Sequence, residues 1–78
     1  MRFHYYPETD SLYIDLSEKK GADSLEVAPG VVLDFDETGV LVGIEFDHAS
    51  KIVDLSRLET EALPLSRLSV VAAQSDAA

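Results

Sequence analysis

The chain has 78 residues, 46% of them apolar, and fifteen Asp and Glu against six Lys and Arg leave a net charge of −9. A chain this short forms one domain; it has no apolar run of 18 residues to make a transmembrane helix, and its acidity disfavours phosphate backbones and anionic lipid. Cysteine is absent, which removes disulfides, thiolate metal sites and thiol nucleophiles, and a core burying only about 60% of the unfolded surface must look to oligomerisation or a partner.

The first 46 residues alternate with the period of strands, and each run is closed by turn-forming residues. Residues 2–6 are aromatic-rich and end at Pro7-Glu8-Thr9-Asp10. Leu12, Ile14 and Leu16 then alternate with Tyr13 and Asp15, predicting a first hairpin of residues 2–6 with 11–16. Residues 17–21, with both Lys19 and Lys20, are a loop. Residues 24–28 are a weaker strand, followed by Pro29-Gly30, which suits a type II turn or a kink within one long strand. Val31, Leu33 and Phe35 share one face, Glu37-Thr38-Gly39 turns the chain, and Val40, Val42, Ile44 and Phe46 return, which predicts a second hairpin. Gly43 marks a bulge or a close backbone approach.

After Phe46 the period changes. Ile52, Leu55, Leu58 and Ala62 recur at three- and four-residue steps until Pro64, predicting a helix within 49–63, and Ser56-Arg57-Leu58-Glu59 fits a capping box that starts or restarts it. Leu65, Leu68 and Val71 or Ala72 continue at helical spacing in a segment too short to be stable alone, and residues 74–78 are expected to fray. The expected fold is therefore α+β: an antiparallel β-sheet of four to five strands, built from two hairpins and packed against one C-terminal helix. Residues 1–63 make the single domain, and 64–78 a short helical or flexible tail.

The two faces of this sheet differ. One carries Phe3, Tyr5, Leu12, Ile14, Leu16, Leu33, Val40, Val42, Ile44 and Phe46, enough to hold the helix. The other mixes His4, Tyr6, Tyr13, Asp15, Val32, Asp34, Leu41 and Glu45, a surface suited to a partner strand or a second subunit. Together with the tail, it provides the candidate interface residues Tyr6, Tyr13, Val32, Leu41, Leu65, Leu68 and Val71.

One stretch nearly reproduces an EF-hand loop. With Asp34 as position 1, Asp36 falls at 3, Gly39 at 6, Leu41 at 8 and Glu45 at 12; Thr38 at 5 departs. The flanking residues favour extended backbone rather than helices, and on a hairpin Asp34 and Glu45 stand too far from the turn to wrap one ion. The same acids, or Glu8 with Asp10, form carboxylate pairs of the kind used in acid–base catalysis, but no nucleophile or oxyanion donor accompanies them. His4 and His48 lack a metal-ligand spacing, and Gly39 to Gly43 is not a phosphate loop. No catalytic, cofactor-binding or metal-ligating residue is assigned, and no enzyme activity or cofactor is expected. Met1 to Pro7 contains no apolar signal core, so the cytoplasm is the expected compartment.

Four blocks in order, Tyr5-Tyr6-Pro7-Glu8-Thr9-Asp10-Ser11-Leu12-Tyr13-Ile14, Glu26-Val27-Ala28-Pro29-Gly30-Val31-Val32-Leu33-Asp34-Phe35-Asp36, Gly39-Val40-Leu41-Val42-Gly43-Ile44-Glu45 and Ala49-Ser50-Lys51, resemble the bacterial domain-of-unknown-function family 2283 over residues 2–53. The resemblance implies a compact α+β domain, mostly antiparallel sheet, with no established activity and no functional residues to carry over. It also implies an antitoxin-like role, since some members are encoded beside small basic proteins that look like ribonuclease-type toxins. The expected function is a small acidic protein-interaction domain, homo-oligomeric and partnered by a basic protein. The alternative is a small-ligand or metal-binding module using the acids of the 34–45 hairpin.

Overall fold

The structure, a computed structural model, describes residues 1–71. Five strands, β1 (Arg2–Tyr6), β2 (Ser11–Asp15), β3 (Asp23–Ala28), β4 (Val31–Phe35) and β5 (Leu41–Phe46), form one sheet in the order β1-β2-β5-β4-β3. Every neighbouring pair is antiparallel. β3, β4 and β5 run as a meander, and β2 lies against β5 by way of the longer connection through residues 16–22, a Greek-key order.

Local chemistry accounts for the turns. Pro29-Gly30 makes a two-residue hairpin between the paired Ala28 and Val31, with Gly30 at φ 79° in the left-handed region that a type II turn demands; residues 24–31 are thus two strands and not one kinked strand. Between β4 and β5, Gly39 takes φ 88° and donates its N–H to the Asp36 carbonyl at 3.0 Å. At the head of β5 the register steps so that Phe35 pairs with Leu41 while Asp34 pairs with Gly43, leaving Val42 as the extra residue of a bulge. Val42 is only 2% exposed; it lies beneath the β2–β3 connection, where a Cβ on Gly21 would come 4.0 Å from its Cγ2.

The predicted helix is not present. Among the described residues the sole helical element is one 3-10 turn, Ala49–Lys51, so the fold is an antiparallel β-sheet rather than α+β with a packed C-terminal helix. The reason lies in competing hydrogen bonds. The Asp54 carboxylate accepts from both the backbone N–H and the hydroxyl of Ser56, a local turn that removes the Ser56 cap from the helix it would start. Glu59, the other half of the capping box, pairs with Arg57 instead. Ala62 stands at φ 57°, outside helical backbone. Residues 64–71 are likewise without helix, and the remainder of the expected tail, including Ala72 and 74–78, lies outside the described residues.

Without that helix the sheet is a single layer. Leu12, Val42 and Ala49 are the buried apolar residues, and among the described residues no large side chain is fully enclosed.

Candidate functional site

The register sorts side chains into two faces, because paired residues across strands share a side. Phe3 pairs with Ile14, Ile14 with Ile44, Ile44 with Leu33 and Leu33 with Leu25; Tyr5 pairs with Leu12, Leu12 with Phe46 and Phe46 with Val31. With a third row, Leu41, Phe35 and Asp23, they make an apolar face on which Asp23 is the one charged strand residue. On the reverse, His4, Tyr13, Glu45, Val32 and Glu26 form one row and Arg2, Asp15, Gly43, Asp34 and Ser24 another. That second face therefore gathers Asp15, Glu26, Asp34 and Glu45.

The second face is organised by Tyr13. Its ring crosses Gly43, where an added Cβ would overlap the phenol and lie 2.6 Å from Cζ, and its hydroxyl donates to Asp34 Oδ2 at 2.9 Å. Gly43 is thus both beside the bulge and at the close approach that its position in the strand pattern predicted. Burial, then the bond to Asp34 and the surrounding carboxylates push the Tyr13 phenol up to about 12. Glu45, beside Tyr13, is raised as well, by burial first and then by Asp47 and Asp34. At the outer edge the His4 and Tyr6 rings stack at 4.4 Å, tilted by 42°.

Of the sequence-predicted interface residues, Tyr6, Tyr13 and Val32 stand on this face. Leu41 does not join them. The bulge sets it opposite Phe35, on the side of the apolar rows, since inserting one residue reverses the alternation that placed it with Val32. Leu65, Leu68 and Val71 are exposed in the segment after the 3-10 turn, at 43%, 68% and 86%, and the structure brings them into no strand or helix.

The acidic turn does different work from the ion loop it resembles. Asp36 is buried, and its Oδ1 accepts from the Thr38 N–H at 2.8 Å, the Thr38 hydroxyl at 2.6 Å and the Val40 N–H at 3.0 Å. The Thr38 hydroxyl and then the Val40 N–H are the main causes that hold the Asp36 carboxyl below the usual carboxylate range. Thr38, the residue that breaks the calcium-loop pattern, is thus the one that secures the turn. Asp34 is engaged by Tyr13, and among the described residues no three His, Asp or Glu side chains converge as metal ligands.

One constellation goes unnoticed in the sequence. Asp10, at φ 55° in the first turn, receives the Tyr5 hydroxyl on Oδ1 at 2.7 Å and the Ser50 hydroxyl on Oδ2 at 2.7 Å, while its carbonyl accepts the Ala49 N–H at 2.8 Å. Bonds from Tyr5 and Ser50 lower its pKa. Asp10 therefore clasps the first hairpin to the 3-10 turn forty residues later. The available signal was an acid at a turn end, one of the few residue types that accept left-handed backbone.

Among the described residues no helix is long and apolar enough to cross a membrane. No curated protein and no solved structure matches the chain. A family model described as Protein of unknown function (DUF2283) matches residues 2–50, from the first residue of β1 to the serine that closes the clasp, and the chain belongs to that family.

Proposed function

We propose that this domain is a non-enzymatic protein-interaction module whose acidic sheet face receives a basic protein, in the manner of an antitoxin bound to a small basic ribonuclease-type toxin. The observation that carries the reading is the partition of charge: four carboxylates share one face with Arg2 as the one Lys or Arg in its rows, while the opposite face carries only Asp23. A face of one sign steers a cationic partner and speeds its encounter. Tyr13, fixed by Gly43 and Asp34, and Val32 supply a rigid apolar centre within the acidic rim.

Co-expression tests this. A small basic protein encoded beside this chain's gene should be toxic alone and harmless together with it, and the purified complex should weaken steeply with salt. Reversing charge with Asp15→Lys and Glu26→Lys, which leaves the Tyr13 contact untouched, should abolish protection. Unaltered protection by that double variant, with a complex insensitive to salt, rejects the acidic face as the receiving surface.

A further inference from the structure

The apolar face points to a second occupant. We propose that it is the interface of a homodimer, in which two copies pack their sheets face to face and the exposed apolar residues of 58–71 join the contact. This goes beyond the binding of a basic partner, uses the opposite face, and either can fail without the other.

Three observations select a second copy. The first is area. The chain exposes 6597 Å², against about 4,700 Å² for a compact protein of this mass. Even a fully extended stretch of 72–78 contributes only about 900 Å² of the difference. The remaining surplus is of the order of 1,000 Å² per chain, where a standard interface takes roughly 800 Å² from each partner. Exposed apolar surface lies partly on the apolar rows, where Phe3 is 47% exposed and Leu25 57%, and partly on the segment that follows the sheet, where Leu58 is 67% exposed and Leu68 68%.

The second is charge. A molecule of net charge −9 can approach its own copy only where carboxylates do not meet, and the apolar rows with their single Asp23 are such a place. A basic partner finds few carboxylates there, Asp23 in the strand rows and Asp54 at the groove rim, against four on the other face.

The third is that the described residues cover the apolar rows only in part. Residues 53–58 wall one side of a 420 Å³ groove floored by Phe3, Leu12, Ile14 and Phe46; its polar rim groups are engaged locally, Asp54 by Ser56 and Arg57 by Glu59, and the floor is apolar. The last seven residues, AAQSDAA, hold no large apolar side chain with which to fill it. A second sheet supplies the missing layer and makes the two-layer core that one layer lacks.

Light scattering on the full chain should give twice the 8.5 kDa chain mass at submillimolar concentration. Leu25→Asp and Phe3→Asp, both at exposed positions, should each yield monomer with an unchanged β-sheet spectrum, whereas Glu26→Lys on the other face should leave the dimer intact. Should either Asp variant unfold, a wild-type sample mixed from labelled and unlabelled chains decides the matter by NMR: intermolecular contacts at Phe3, Ile14 and Leu25 support the interface. A monomeric wild type, a dimer that survives both Asp variants, or intermolecular contacts confined to His4, Tyr13 and Val32 overturns it.

Discussion

Residues 2–51 and residues 52–71 are built on different terms. In the first region five strands are joined by antiparallel ladders, and its turns are tied by carboxylates: Asp36 gathers three donors, while Asp10 joins Tyr5 to Ser50. In the second, hydrogen bonds reach only as far as neighbours, such as Ser56 to Asp54 and the Leu65 N–H to the Leu63 carbonyl, and large apolar side chains face solvent. The region matched by the family model coincides with the first of these and ends at Ser50. The difference teaches that hydrogen bonding, more than enclosed apolar volume, defines this domain.

If the first region owes its order to its polar ties, breaking one should matter most where packing and hydrogen bonding coincide. Gly43→Ala should be the most costly change, about 1–3 kcal/mol in denaturant unfolding, because the new methyl displaces the Tyr13 ring and severs its bond to Asp34. The same variant should bring Tyr13 down from about 12 toward the ordinary 10 in a spectrophotometric titration, since burial and Asp34 are what raise it. An unchanged melting curve and titration would show that the ring contact does not organise the face.

Next in size is Asp10→Ala. It removes the three bonds that Tyr5 and Ser50 donate to the carboxylate and places alanine at φ 55°, so the melting temperature should fall by several degrees, and the Ser50 N–H, one of those donors, should exchange faster with solvent. Acid tests the same clasp. The folded Asp10 and Asp36 carboxyls lie below the ordinary aspartate value of 3.8, so the unfolded chain takes up protons first. Their stabilisation is complete above that value and drains away as pH falls through the lower folded values. Wild type should therefore lose stability below about pH 4, and Asp10→Ala should lose less over that interval.

The smallest effect belongs to the second region. Ser56→Ala breaks only the exposed local turn with Asp54 and should leave the melting temperature unchanged within error. A fall comparable to that of Asp10→Ala would mean that 52–71 shares the cooperative unit of the sheet, and the contrast between the two regions would not stand.

The strands were readable because their causes are local. Alternation at residues 2–6, 11–16, 31–35 and 40–46 and turn residues at Pro7, Pro29-Gly30 and Gly39 act within a few positions, and the structure places strands at 2–6, 11–15, 31–35 and 41–46 with turns between them. Leu41 shows the limit. One extra residue opposite Phe35 moves it to the other face, and no periodicity count contains a bulge that depends on how two strands meet. Asp10 shows another, since its partner Ser50 lies forty residues away.

By itself, then, the sequence determined one small cysteine-free acidic domain, the extended segments with their turns, and glycine at the crowded centre of β5. Only the structure shows that the three- and four-residue spacing after Phe46 does not become a helix. A short amphipathic segment is helical only when its first-turn donors stay available and a packed face stabilises it. Here Asp54 captures Ser56 and Glu59 pairs with Arg57, so the apolar face prepared for a helix is left for a second copy of the chain to cover, as we have proposed.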